Sequence, residues 1–456
     1  MEAQIKKIIS NTYNCYHRHG HHQSDFYDMT LSVVSWLALS SRQQPRCAAD
    51  LETSAGPSNF SDIMSQFDKL KIAATLKSWE NHQGKSWEGL IHLEVSLIEH
   101  ISDTDWQFIL TTWNDLFTEA GIDVCQLVLK VFDQLEQVIA IDQKDEHMHL
   151  TPKAVTKIMA QYLGSDQKGI LYDPFARTGN LLSEAVQKLP SVKNATGFSP
   201  IKLGWKLTNL RLLFTSQTLT PSIQREQHAE PEIGIFDFII SNPPFGHQRI
   251  DDEQLRNISN EWYDLAKKSN RQEIYYLCHI LSHLADGGKA SILLPGIFLS
   301  GSLIIKELIR RLLEQNILDA VIALPTGLFI HTGIPVVLVA INKNRRAGDR
   351  ILLADASTEA LRNGRQNILK TEKIESWLNI LKSQSHKGDT SSMIMVNEEE
   401  IVQRDYNLYV AAYRKEDGII KNRTPSTTLK REYEALEAKI AIAQKELVNY
   451  LSKKTN

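Results

Sequence analysis

The chain is poor in several things, and each shortage excludes a class of protein. Its 456 residues include only four cysteines, Cys15, Cys47, Cys125 and Cys278. They lie far apart and none stands at metal-ligand spacing. The sequence therefore predicts no metal site and no disulfide framework, and fits a reducing, cytoplasmic setting. No charge of one sign dominates: 51 Lys and Arg face 54 Asp and Glu, a formal net charge of -3. A chain that is not a polycation can grip nucleic acid only if its basic residues gather on one face or a partner supplies much of the hold. Long apolar runs are missing as well. Stretches such as Ile334 to Ile341 are far short of a membrane span, and the opening Met1-Glu2-Ala3-Gln4 lacks a leader's charged-then-apolar pattern. With 42% hydrophobic and 23% charged residues, what is left is an ordinary globular composition. The length is enough for more than one domain.

Three regions follow from the pattern. Residues 1–140 read as a helical domain, with apolar residues at three- and four-residue spacing from Met29 to Leu39 and from Leu127 to Ile139. The Ser/Pro/Gly-containing stretch Ser54 to Ser61 between them reads as a loop. The segment His17-Arg18-His19-Gly20-His21-His22 is a polar turn rather than a metal site, because no carboxylate or cysteine sits at ligand spacing around it. Residues 141–360 alternate short apolar runs with helical segments, which predicts an α/β domain with a parallel sheet covered on both faces. Expected strands are Gly169–Tyr172, Ala195–Phe198, Phe236–Ile240, Ala290–Leu294, Ala320–Leu324 and Val336–Ile341. Expected helices are Pro152–Leu163, Leu181–Lys188, Ile201–Leu213, Glu273–Ala285 and Ile304–Glu314. In residues 361–456 the strand signal stops. The end of the chain carries Leu429, Tyr433, Leu436, Ile440, Ala443, Leu447 and Tyr450, the seam of a terminal helix over 429–451. That seam can pack on the chain's own body or be gripped by a partner helix, and both readings stay open.

The strongest chemical signal is Asn242-Pro243-Pro244-Phe245, directly after the run Phe236 to Ser241. Ligands of open parallel sheets sit beyond the carboxyl ends of the strands, so the tetrapeptide is delivered to a catalytic edge. Each residue type suits one task there. An aromatic amine is a poor nucleophile because its lone pair is delocalised into the ring. The Asn242 amide oxygen and the Pro243 carbonyl can accept its two protons and push the nitrogen towards a tetrahedral form. Two successive prolines fix the backbone at little entropic cost. Phe245 offers a flat face to a base flipped out of a duplex, and stacking offsets part of the cost of extrusion. A plain proline turn would not need the aromatic. The second signal is Asp173-Pro174-Phe175-Ala176-Arg177-Thr178-Gly179-Asn180, between a strand and a helix, where a glycine lets a cofactor approach the backbone. The third is Leu150-Thr151-Pro152, in which Thr151 suits an N-cap and Pro152 the first helical turn.

Taken in order, Thr-Pro, Asp-Pro-x-x-x-Thr-Gly and Asn-Pro-Pro-Phe resemble the gamma-class adenine-specific DNA methyltransferases. Further along stand Gly288-Lys289-Ala290, Leu294-Pro295, Leu324-Pro325-Thr326-Gly327-Leu328-Phe329, Thr332-Gly333-Ile334-Pro335, Asn342-Lys343, Ala354-Asp355-Ala356-Ser357 and Asp405-Tyr406-Asn407-Leu408. These narrow the resemblance to the modification subunits of type I restriction-modification systems, over roughly residues 140 to 456. The resemblance implies a Rossmann-like S-adenosylmethionine-dependent methyltransferase fold with an N-terminal helical domain and a C-terminal helical tail. It implies transfer to the 6-amino group of adenine in DNA. Asn242, Pro243, Pro244 and Phe245 would hold the target base. Asp173, Pro174, Phe175, Thr178, Gly179 and Asn180 would line the S-adenosylmethionine pocket, with Thr151 and Pro152 at its methionine end. It also implies a separate specificity subunit, reached through the terminal helix, and an optional restriction subunit.

The chain departs from the family's pattern in places. Arg177 stands where the family usually has glycine. Ser199, in Gly197-Phe198-Ser199-Pro200, stands where a carboxylate usually grips the ribose, and a neutral hydroxyl is the weaker acceptor. For the acidic residue beside the cofactor's adenine, Glu226 is the nearest candidate. These departures motivate an alternative expectation, a catalytically impaired methyltransferase-like module that binds DNA or a partner in a defence complex.

Overall fold

The apolar runs expected as strands do become strands, and they lie side by side. The computed structural model describes residues 1–40, 64–65, 67–83, 88–119, 121, 123–142, 150–164, 166–216, 219–225, 234–246, 250–269, 271–329, 333–364, 366–384 and 391–414. In chain order the strands are β1 (Ile170–Asp173), β2 (Asn194–Phe198), β3 (Thr220–Gln224), β4 (Phe236–Ser241), β5 (Leu284–Pro295), β6 (Leu318–Ala323) and β7 (Val336–Asn342). They continue with β8 (Ile351–Asp355), β9 (Ala360–Asn363), β10 (Gln366–Leu369) and β11 (Met393–Val396). A nine-stranded sheet has the order β11-β8-β6-β7-β5-β4-β1-β2-β3, and β9 and β10 form a separate hairpin. The expected helices appear as Lys153–Leu163, Asn180–Lys188, Lys202–Thr215, Gln272–His283 and Leu303–Glu314. Their apolar faces cover the sheet, as strands apolar on both faces require.

The sheet corrects the expectation at two points. It is mixed rather than parallel: β7 runs antiparallel to both β5 and β6, and β11 antiparallel to β8. A parallel return needs a crossover helix, and the described residues between β6 and β7 hold none, so the chain doubles back. Strand structure also continues past residue 360, in β10 and β11, and β11 extends the main sheet. The segment Ser54 to Ser61, Glu226 and the terminal seam from Leu429 to Tyr450 lie outside the described residues.

The helical N-terminal region is built from Glu2–Arg18, Gln23–Ser40, Lys69–Gln83, Val95–Ile98, Asp103–Glu119 and Val124–Asp142. Its core also takes in Leu203, Leu207, Leu210 and Phe214 from Lys202–Thr215, so that one helix is buried between the helical layer and the sheet. This accounts for an otherwise odd feature, the fully buried Lys206. Its ammonium donates to Asp28 Oδ1 at 2.5 Å and to Ser32 Oγ at 2.6 Å across the seam. The His17–His22 segment docks on the same layer, where His19 Nε2 meets Asp105 Oδ2 at 2.7 Å. Cys15 and Cys278 are free and buried. Cys125 is disulfide-bonded, against the expectation of no disulfide framework. Among the described residues, no helix is long and apolar enough to cross a membrane.

For the site, the important feature is a reversal in strand order. From β1 the chain moves outward to β2 and β3, then returns to β4 on β1's other side. This switch point opens a crevice beyond the carboxyl ends of β1 and β4. Asp173 ends β1 and Ser241 ends β4, so both expected motifs are delivered to it.

Candidate functional site

The loop after β1 is held from all sides by backbone contacts. Ala176 N donates to Phe198 O at 2.8 Å, and Gly179 N to Ala176 O at 2.8 Å. Gly179 has φ 77°, and a β-carbon on it would lie 2.7 Å from Thr208 Cγ2 and 2.9 Å from Thr208 Cα. Only glycine meets both conditions. Asp173 is fully buried at the end of β1, and its Oδ1 accepts from Phe175 N at 2.9 Å. Its Oδ2 is buried with no hydrogen-bond donor among the described residues. Burial pushes this carboxyl up to about 7, against the Phe175 N–H, the neighbouring Ser241 hydroxyl and the Arg177 charge, all of which favour the ionised form. An orphaned acceptor of this kind fits a cationic ligand group such as an ammonium.

Arg177 keeps a glycine-like backbone despite its side chain. Its φ is 51°, in the left-handed region, which costs a non-glycine residue about 1–2 kcal/mol. The guanidinium is buried and lies over the Phe175 ring, 4.9 Å from its centroid. Burial lowers it to about 10, opposed by Asp173 and Tyr276. The Arg177 carbonyl accepts from Ser199 Oγ at 2.6 Å and from Thr208 Oγ1 at 3.2 Å. The Ser199 proton is thus committed to the loop, and its side chain is buried. Thr178 turns towards the helical layer instead. Its hydroxyl donates to Glu136 Oε1, while Arg211 Nε donates to Thr178 O at 3.2 Å. Arg211 in turn pairs with Asp133 at 2.6 Å and Glu136 at 3.2 Å.

The corner after β4 is held separately. Asn242 and Pro243 are buried, while Pro244 and Phe245 are half-buried. Asn242 Nδ2 donates to Thr151 Oγ1 at 2.9 Å. With its amide nitrogen anchored this way, its Oδ1 accepts nothing from the described residues and is left for a ligand donor. Thr151 is therefore not the N-cap of Lys153–Leu163, since that position falls to Pro152 with no side-chain cap bond. The Thr151 carbonyl accepts from Asn180 Nδ2 at 3.1 Å, so one residue joins the corner to the cofactor-type loop. The exit of the corner is pinned by Glu273, whose Oε2 accepts from Gly246 N at 3.0 Å. The fold thus brings together Thr151, Asp173, Asn180 and Asn242. It directs the hydroxyls of Thr178 and Ser199 into bracing contacts.

The sequence profile of the N-6 DNA Methylase family matches residues 135–421, more than half of the chain. The chain belongs to this family. Among curated relatives, a type I restriction enzyme methylase subunit from Mycoplasma pneumoniae is 26% identical over 289 residues, 58% of this chain and 52% of that protein. One from Methanocaldococcus jannaschii is 25% identical over 327 residues, 64% of this chain and 57% of that protein. The chain spans about half the length of these curated relatives. The crystal structure of a type I restriction-modification methyltransferase subunit from Streptococcus thermophilus superposes with a TM-score of 0.70 at 20% identity. It covers 91% of this chain and 99% of that one. At that identity the likeness speaks for the fold, the Rossmann-like methyltransferase sheet with its helical N-terminal region.

Several residues around this crevice carry no sequence motif. Glu136, Arg211, Thr208 and Glu273 brace it from helices far away in sequence, and only a buried charge on an otherwise apolar helix face could have flagged the first two. Beside the site, Thr151, Asn180, Arg211 and the β9–β10 hairpin line a cavity of about 720 Å³.

Proposed function

We propose that the chain is the modification subunit of a type I restriction-modification-like system and methylates the 6-amino group of adenine in DNA. The observation that carries this reading is the Asn242 amide. It sits at the β1/β4 switch point, its nitrogen held by Thr151 at 2.9 Å and its oxygen accepting nothing among the described residues. An amide so oriented accepts one proton of an exocyclic amine, the Pro243 carbonyl is the second acceptor, and Phe245 is the plate for the extruded base. S-Adenosylmethionine, when bound, supplies a methyl group made electrophilic by its sulfonium. Asp173, with its orphaned oxygen, fits the amino end of that cofactor, and Gly179 lets the backbone approach it. Thr151, Pro152, Pro174, Phe175 and Asn180 complete this end, while Ser199 and Glu226 are the candidates at the ribose and adenine. Catalysis by these residues is orientation and charge placement, with no covalent enzyme intermediate. DNA sequence is read by a separate specificity subunit, for which the segment 429–451, by its apolar seam, is the contact, and a restriction subunit can join. The boundaries near residues 140 and 360 divide the chain's work into bracing, chemistry and partner contact, and the setting is cytoplasmic.

The test is methyl transfer from labelled cofactor by the chain with its specificity partner. Asn242→Ala is expected to abolish transfer and leave cofactor binding within about threefold, because the amide serves the base and not the donor. No transfer by the wild-type complex, even in large cofactor excess, refutes the reading. A second reading, an impaired methyltransferase-like module, is favoured by the buried Arg177 guanidinium over Phe175. Calorimetry separates the two: an S-adenosylmethionine Kd tighter than about 100 μM, about -5.5 kcal/mol, belongs to the enzyme.

A further inference from the structure

The β9–β10 hairpin buries Leu369 in the core, but its other face is explained by neither the chemistry nor the core. It stands apart from the main sheet. Leu361 and Ile368 face each other in register across it, so their side chains share one face. They are 54% and 47% exposed. A paired apolar face on two short strands is unusual unless something covers it. The hairpin's own sequence is basic, with Glu359 before it and exposed Glu372 after it. From Ala360 to Lys370 the sequence has arginine and lysine and no acidic residue, in a chain whose net charge is -3. Arg362 and Lys370 are exposed and make no ion pair among the described residues, while nearby Glu359 is neutralised by Lys373 at 2.8 Å.

The hairpin is also rigidly placed. Asn367 N donates to Gly327 O at 2.7 Å, Asn367 Nδ2 to Thr326 O at 2.8 Å and Gln366 Nε2 to Leu328 O at 2.6 Å. These carbonyls belong to the loop after β6. Because β7 runs antiparallel to both β5 and β6, β6 points the same way as β5, β4 and β1. The hairpin is therefore rooted on the edge of the sheet that carries Asn242. Ile368 and Thr151 line one cavity, and Thr151 holds Asn242.

We propose that this hairpin is a wedge for duplex DNA: Leu361 and Ile368 enter the base stack where the target adenine has left it, and Arg362 and Lys370 hold the flanking phosphates. The inference rests on the adenine-methylation reading and deepens it by naming what occupies the vacated place. Extruding a base unstacks its neighbours, and apolar side chains inserted between base steps are a general way to hold such a gap. The basic rim favours a polyanion over an apolar protein surface as the occupant.

The test uses the full chain with its specificity partner and a recognition duplex carrying 2-aminopurine at the target position, whose fluorescence rises on extrusion. Leu361→Ala/Ile368→Ala changes only exposed side chains. It is expected to lower the extruded fraction and methyl transfer to a paired adenine by about tenfold or more. Transfer to an adenine opposite an abasic site, which needs little extrusion, is expected to stay within about threefold of wild type. Equal extrusion by wild type and variant overturns the wedge. So does a variant that flips normally once bound but no longer assembles with the partner subunit, which would make the hairpin a protein-docking surface. A wild-type complex that transfers no methyl group to either substrate refutes the methylation reading itself, which separates the two failures.

Discussion

Replacing Thr151 by valine removes one oxygen and keeps the shape. The side chain is buried, and its hydroxyl is the acceptor for Asn242 Nδ2 at 2.9 Å. Two consequences follow. A buried N–H loses its acceptor, which lowers stability by about 1–3 kcal/mol. The Asn242 amide also loses the bond that fixes which of its ends faces the crevice. A net restraint of about 1–2 kcal/mol corresponds to a fall in kcat of about five- to thirtyfold. The bond from the Asn180 side-chain amide to the Thr151 carbonyl survives the substitution, so the loop after β1 keeps its tether. Thr151→Ser retains the acceptor and is expected to stay within about twofold of wild type in kcat. The assay is single-turnover methyl transfer by the assembled complex, with cofactor affinity measured separately by calorimetry. If Thr151→Val leaves kcat unchanged, the orienting role is refuted. If the whole loss falls in cofactor affinity, Thr151 serves the cofactor directly and the amide is held by other means.

Other perturbations test the bracing and the charge placement. Arg211→Met removes the guanidinium from buried Glu136 and from Asp133, leaving them only Thr178 and the exposed Lys153; chemical unfolding should show a loss of about 3–5 kcal/mol, and a loss below about 1 kcal/mol would contradict the network. Arg177→Gly relieves the left-handed backbone at φ 51° but loosens the unfolded chain, so stability should change by less than about 1 kcal/mol. Cofactor binding should tighten, whereas weakening of about tenfold or more would mean that Arg177 holds the cofactor. Asp173, at 3.8 when unfolded, is pushed up to about 7 in the fold. Its contribution to stability is fully present below about pH 4 and is lost as pH rises through about 7, because the unfolded carboxyl ionises while the buried one holds its proton. The size is on the order of 4 kcal/mol, and Asp173→Asn should remove that slope from unfolding curves taken between those pH values. Affinity for the cationic end of the cofactor should rise over the same interval in wild type and not in the variant.

Much of the sheet was legible because strands covered on both faces read as apolar runs, and β1, β4, β5, β6 and β7 each contain one, β7 although it runs antiparallel. β3 was not, since Thr220-Pro221-Ser222-Ile223-Gln224 holds a single aliphatic side chain. Strand direction was also hidden: an apolar run such as Val336 to Ile341 looks the same pointing either way. β9 and β10 gave no strand signal because each is only four residues long and mixes apolar with polar side chains. The crevice was legible through its punctuation, the prolines and glycine that must stand where strands end. The partners of those residues were not. Asn242 and Thr151 are 91 positions apart, Thr178 and Glu136 are 42 apart, and no local rule links them.

Those distant partners share a common anchor. Asp133, on the last helix of the N-terminal region, accepts from Arg211 at 2.6 Å, and Arg211 holds the Thr178 carbonyl of the cofactor-type loop. The same carboxylate accepts from Lys153 at 3.0 Å, two residues beyond the threonine that orients Asn242. The exposed Lys153 contact is worth little by itself, while the buried Arg211 contacts are hard to break. A displacement of helix Val124–Asp142 therefore pulls first on the loop expected to hold the methyl donor and only weakly on the amide expected to hold the base. Reorientation of the helical region against the sheet should alter cofactor affinity more than base placement. The helical region is in that sense part of the site, although none of its residues carries a motif.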